Sequence, residues 1–172
     1  NGDSFATKIP VGEAKAAESE REDTPVEYAE AAYFKEKVKE IYYYCNGKKY
    51  TISPENDMGK EIISMTKQRY INTNEKVTKK NKLKQRVSKL MNHGRALEIK
   101  FVKTCYKIYL GSKSNDYQKV PIHYRSWFYP LEGEESKCFI PLPDRECTYQ
   151  GLGSAEMLLD YLENNIVKGN RE

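Results

Sequence analysis

Nowhere in its 172 residues does the chain carry a run approaching the ~20 consecutive apolar residues that a membrane-spanning helix requires. It has no CxxC pair, so zinc-ligand spacing is missing although four cysteines are present. HExxH, GxSxG and EF-hand patterns are absent, and with them the metalloprotease, hydrolase-elbow and calcium-loop chemistries. Histidine is scarce: His93 and His123 are the only groups suited to act as neutral-pH general bases. No repeat of 20–50 residues is visible, which argues against a solenoid or propeller. Composition excludes collagen, coiled coil and a wholly disordered polymer. What remains points to no reaction, and neither metal nor cofactor is expected.

What is present suits one ordinary domain. A chain of this length removes about 68–70% of its unfolded surface from water, enough to fold without a metal or disulfide. Residues 1–24 read NGDSFATKIPVGEAKAAESEREDT, in which Phe5, Ile9 and Val11 are the sizeable apolar side chains. Such a stretch buries too little apolar surface to offset the entropy of ordering it. A flexible acidic leader over 1–24 is therefore expected, followed by a single α+β domain over 25–172. Leaders of this composition often follow a removed signal peptide or lipid-bearing cysteine, which sets an expectation of extracytoplasmic placement. A plain cytosolic tail is the alternative.

Hydrophobic spacing predicts a helix over 25–36, with Pro25 at its first position. Ile41, Tyr43 and Cys45 then alternate with Tyr42 and Tyr44, and Asn46-Gly47 supplies the positive φ values of a type I′ turn. A hairpin of 37–45 with 48–52 follows. Ser53-Pro54-Glu55 opens a helix whose apolar stripe is Met58, Ile62 and Met65. Leu83, Val87, Leu90 and Met91 mark a second amphipathic helix, ended at Gly94 by an expected left-handed residue. Leu97, Ile99 and Phe101 alternate as a strand, but Tyr106, Ile108 and Leu110 have the opposite parity, so a bulge or reversal is expected near 102–105. Another strand covers 120–129, with short strands at 139–140 and 145–149, and Ser154 caps a final helix. Strands in runs favour an α+β fold with an antiparallel sheet and helices packed on it.

Charge is segregated along this order. Residues 67–103 hold 12 bases against Glu75 and Glu98, whereas 1–40 hold 10 acids against 6 bases. Lys79, Lys80, Lys82, Lys84, Arg86 and Lys89 concentrate in a basic helix expected within 76–95. Such a helix raises the local potential and attracts polyanions by counterion release. Nucleic acid, anionic lipid headgroups or an anionic envelope polymer each satisfy that physics; so does a solvated face docked by its apolar residues, or one screened by the acidic leader. No aromatic residue lies across 76–95, which counts against stacking on single strands.

Aromatic residues are abundant, with 14 Tyr, 5 Phe and 1 Trp. Tyr124, Trp127 and Tyr129 fall close together, as recognition surfaces favour; they are equally ordinary sheet residues. In this pattern Tyr124 and Phe128 share one side of the strand and Trp127 the other. Cys105 and His123 form a conceivable thiol–imidazole pair, without a local signature. Gly151-Leu152-Gly153-Ser154 precedes a helix but lacks the remaining phosphate-loop residues, so a flexible connection is the simpler reading. Glu132, Glu134, Glu135, Asp144 and Glu146 read as a solvated rim rather than paired catalytic carboxylates. Cys45, Cys105, Cys138 and Cys147 are either buried thiols or disulfides, Cys138 and Cys147 being spaced for a hairpin.

The hairpin IYYYCNGKKYTI leading into SPENDMGKEIISM and then long antiparallel strands resembles small exported, lipoprotein-type domains of Gram-positive bacteria. The resemblance covers roughly residues 37–167; the lysine-rich insert at 78–90 departs from it. It implies an envelope location and no particular activity. The functional expectation is a monomeric, non-enzymatic extracytoplasmic interaction domain whose partner is a protein or an anionic envelope polymer. It would bind with its aromatic sheet face or its basic helix, with nucleic acid as the alternative polyanion.

Overall fold

Asn46 and Gly47 have φ values of +51° and +89°, so the turn between the first two strands is built as its sequence dictates. It joins β1 (Val38–Cys45) to β2 (Lys48–Ile52), with Cys45 opposite Lys48 and Ile41 opposite Ile52. The computed structural model describes residues 30–73, 77–79, 82–113, 116–144 and 147–171. The expected leader over 1–24 lies outside them, as does the first part of the helix expected over 25–36. The described part of that helix ends in a turn at Tyr33, short of Glu36.

Helix α1 (Asp57–Lys67) follows the hairpin. Its cap is Asn56, whose side chain accepts from the Gly59 N–H at 2.7 Å, rather than Ser53. Ser53 instead accepts from the Glu55 N–H, closing a turn of its own. Ile62 and Thr66 face the core while Met58 is exposed, so the buried stripe is rotated from the expected one. A glycine is required at position 59, because a Cβ there would lie 1.9 Å from the Ser53 carbonyl oxygen.

The basic segment divides where one helix was expected. Val77–Lys79 form β3, which pairs with β7, and helix α2 runs only from Leu83 to His93. Gly94 ends α2 in an extended conformation (φ −111°), not a left-handed one; the left-handed residue is Lys82, at the opposite end. Strand β4 (Arg95–Lys113) and strand β5 (Asp116–Pro130) form a long hairpin that reaches into the expected 111–116 loop. A 3₁₀ turn (Glu134–Lys137), β6 (Cys138–Pro143), β7 (Cys147–Gln150) and α3 (Glu156–Leu162) follow, and α3 runs on into a π-helical turn (Glu163–Val167) and a 3₁₀ turn (Lys168–Arg171). The Pro141-Leu142-Pro143 run belongs to β6, which is longer than the strand expected at 139–140.

All the pairings are antiparallel, in the order β2-β1-β4-β5-β6-β7-β3. Both faces of the central strands are covered. On one face α1, α3 and the segment around Tyr33 enclose the main core of Tyr43, Ile99, Trp127 and Phe139. On the other, α2 lays Leu83 and Val87 on Tyr44, Ala96, Phe128, Ile140 and Leu142. Burying each of those two helix side chains contributes about 1.5–3 kcal/mol, which holds α2 despite its charge. The result is an α+β domain with helices on both sides of one antiparallel sheet.

The irregularity expected in β4 is present, but the change of face occurs elsewhere. Lys100 pairs with Ser126 and the next partners are Cys105 and Tyr124, leaving four residues on β4 against Arg125 alone on β5. That odd offset obliges one strand to turn over. β4 does not: Leu97, Ile99, Phe101 and Cys105 all enter the main core and Tyr106 is 55% exposed. β5 does, at Arg125, so Ile122 and Tyr124 share a core with Trp127 and Tyr129. Tyr124 and Trp127, expected on opposite sides, stack with ring centroids 3.9 Å apart.

Candidate functional site

Tyr124, Trp127 and Tyr129 are 0% exposed, so the proposed aromatic recognition face is interior. Trp127 donates its indole N–H to the Tyr33 carbonyl at 2.7 Å, and Tyr124 donates to the same oxygen at 3.4 Å. The Tyr129 hydroxyl meets that of Tyr70 at 2.6 Å. The Tyr33 ring sits among Tyr70, Trp127, Phe139 and Tyr149 at centroid distances of 5.2–5.7 Å. These rings bind their own chain. They are aromatic because edge-to-face packing fills the space between sheet and helices while the Trp127 indole and the Tyr70, Tyr124 and Tyr129 hydroxyls find partners.

The thiol–imidazole pair is not formed. Cys105 lies opposite Tyr124 and His123 opposite Tyr106, so the two occupy alternate faces of the β4–β5 ribbon. Cys105 is buried, which pushes its thiol pKa up and away from nucleophilic use. His93 is exposed at the end of α2. All four cysteines are buried thiols; Cys138 stands opposite Gln150 and Cys147 opposite Lys79, so those two do not face each other. No group of three or more metal-ligating side chains occurs among the described residues.

The glycine-rich connection is occupied by its own protein. Gly153 N–H donates to the Arg69 carbonyl at 2.6 Å, and Arg69 Nε donates back to the Gly153 carbonyl at 3.1 Å. A terminal guanidinium nitrogen of Arg69 reaches the Ser136 carbonyl, while Nη1 has no partner. Desolvation lowers the Arg69 pKa from its ordinary value. This member of the basic stretch therefore ties three chain segments together from within, a role its neighbours in sequence conceal.

What stays outward is the far side of α2. With Leu83 and Val87 against the sheet, the 100° advance per residue turns Gln85, Ser88 and Asn92 to solvent, flanked by Lys84 and Lys89. All five are exposed. Arg86 is partly spent: its Nε lies 2.7 Å from a carboxylate oxygen of Glu135 on the 3₁₀ turn. Arg95 approaches Glu132 more loosely, at 4.0 Å. Among the described residues, no ion pair engages Lys82, Lys84 or Lys89. Lys79 stands in β3, away from the helix, and Lys80 lies outside the described residues.

The start of α2 concentrates this charge further. No acid occupies its first turn and no side chain caps it, so its unpaired N–H groups add the positive end of the helix dipole to Lys82 and Lys84. Lys82 holds φ +65°, a conformation that disfavours a side chain. The sequence carried the lysines plainly; the left-handed residue and the Glu135 partner of Arg86 had no local signal. Among the described residues, no helix is long and apolar enough to cross a membrane. No protein-family model, curated protein or solved structure matches the chain.

Proposed function

We propose that this is a non-enzymatic, extracytoplasmic binding domain that takes an anionic envelope polymer on the outer face of α2. The observation that carries the reading is the docking of α2 by Leu83 and Val87, which leaves Lys84 and Lys89 exposed with polar side chains between them. A linear polyanion laid along this lane meets two cations, hydrogen-bonding groups and a positive helix terminus. It meets no aromatic ring, so an extended phosphate polymer suits the face better than stacked bases. The extracytoplasmic placement rests on the composition of residues 1–24.

The test is binding of long-chain polyphosphate to the full chain across a salt series. Affinity that falls linearly in log K against log salt supports charge-driven capture; a flat dependence, or no binding at low salt, contradicts it.

A further inference from the structure

β2 is an edge strand: it stands first in the sheet order and, among the described strands, pairs with β1 alone. The two-residue turn fixes which of its backbone groups face outward. Cys45 and Lys48 flank that turn as a hydrogen-bonded pair, and bonded and non-bonded pairs alternate from there. Lys48, Tyr50 and Ile52 therefore bond to β1, while the N–H and C=O groups of Lys49 and Thr51 point away from the sheet. Both residues are exposed, and no described backbone group pairs with theirs on that side. The strand carries neither a proline nor a bulge to blunt it.

Beside this edge lies a hollow of about 370 Å³, lined by Tyr50 and Ile52 of β2, Asn56 and Met58 at the start of α1, and Ile166. Tyr50 is half-buried and stacks on Tyr43 with ring centroids 6.1 Å apart, which holds it at the middle of the strand. Met58 is 37% exposed. Charge is divided between the two ends of β2. Lys48 and Lys49 stand at its start, whereas residues 53–61, just past its end, hold Glu55, Asp57 and Glu61 against Lys60. Glu55 has Lys37 at 3.7 Å, but the two side chains are 71% and 73% exposed, so water screens that contact.

We infer that the β2 edge pairs with the β2 edge of a second copy of the chain, antiparallel about a two-fold axis at Tyr50. In that register Lys49 stands opposite Thr51 of the other copy, and the two exchange their outward N–H and C=O groups in both halves of the interface. Lys48 stands opposite Ile52, so the lysines that would guard an edge strand by repulsion never meet. The basic start of each strand arrives at the acidic end of the other, and Tyr50 meets Tyr50 beside the hollow. A parallel pairing would set lysine against lysine and acid against acid, so charge selects the antiparallel one. Five residues a side make a smaller interface than the standard size, which places the association in the weak class. The chain expected to be a monomer is then a concentration-dependent dimer. The edge is separate from the outward face of α2, and neither inference depends on the other.

The experiment is sedimentation equilibrium of the full chain at low salt, from about 10 µM to about 1 mM, the range in which a weak interface is populated. Wild type is expected to pass from monomer to dimer across it. Thr51→Pro removes an outward N–H and no bond to β1, and should weaken dimerisation at least about tenfold. Lys48→Glu and Glu55→Lys should each weaken it by a similar factor, because the two-fold axis counts every reversal twice. An equimolar mixture of those two variants should dimerise about as tightly as wild type, since each supplies the charge that the other has lost. If Thr51→Pro lowers the melting temperature, the charge variants decide. Wild type that stays monomeric throughout overturns the proposal. So does a folded Thr51→Pro, or either charge variant, that dimerises like wild type, and so does a mixture no tighter than its components.

Discussion

The guanidinium of Arg125 donates through Nε to the carbonyl oxygen of Phe101 at 2.8 Å, and through a terminal nitrogen to that of Val102 at 3.1 Å. Arg125 is the extra residue of β5 opposite β6, where Tyr124 pairs with Pro143 and Ser126 with Leu142. The residue that breaks the ladder thus satisfies carbonyls on the neighbouring strand where its register shifts. Through the face change beside it, Tyr124 enters the same core as Trp127.

Arg125→Ala should therefore lower stability by about 1–3 kcal/mol, the range for losing charge-assisted bonds and leaving acceptors unmatched. Arg125→Lys, which cannot span both carbonyls with a planar fork, should recover only part of it. Chemical denaturation of the three proteins checks this; an alanine variant as stable as wild type would refute the bracing role.

This bulge also marks the limit of what the sequence disclosed. Asn46-Gly47 announced the first hairpin because positive φ is a local demand that few residues meet. The opposed alternations of Leu97–Ile99–Phe101 and Tyr106–Ile108–Leu110 put an irregularity near 102–105, where the register does shift, but assigned the change of face to β4, whose Tyr106 is exposed. They could not say which strand turns over, since that depends on packing against Tyr33 and Phe139 from distant parts of the chain. The same blindness put Tyr124, Trp127 and Tyr129 among surface candidates, for a ring destined for a core looks like a ring destined for a partner. The charge of α2 was legible; the separation of Lys79 into a strand was not, because β3 exists only through its pairing with β7.

Tyrosine burial makes stability sensitive to alkali. Tyr70 and Tyr129 are raised above the ordinary value of 10.0, chiefly by burial, as are Tyr43, Tyr44 and Tyr124. Tyr42 is held at about 12, first by its hydrogen bond to Glu40 and then by burial. Because the folded values exceed the unfolded one, their contribution is complete below pH 10.0 and is lost as pH rises through the folded values. Ultraviolet titration should show exposed tyrosines ionising first and the buried group ionising together with loss of the circular dichroism signal. Ionisation of all 14 in one wave, with the fold intact, would contradict this.

The four cysteines are buried thiols, so they should be silent in the native protein. A thiol reagent is expected to find no fast-reacting group before denaturation and four after it. The melting temperature should be the same with and without reductant. Rapid labelling of the folded chain, or a fall in melting temperature on reduction, would show that the thiols are placed or paired differently.

The most direct measurement is polyphosphate affinity of Lys84→Gln/Lys89→Gln beside a control, Lys48→Gln/Lys60→Gln, at one low salt concentration. Both double variants should keep the wild-type melting temperature, because exposed substitutions of this kind change stability by no more than about 0.5 kcal/mol. The α2 pair should bind at least about tenfold more weakly than wild type and give a shallower salt slope, while the control stays near wild type. Equal losses from both pairs would mean that net charge, not the outward face of α2, captures the polymer.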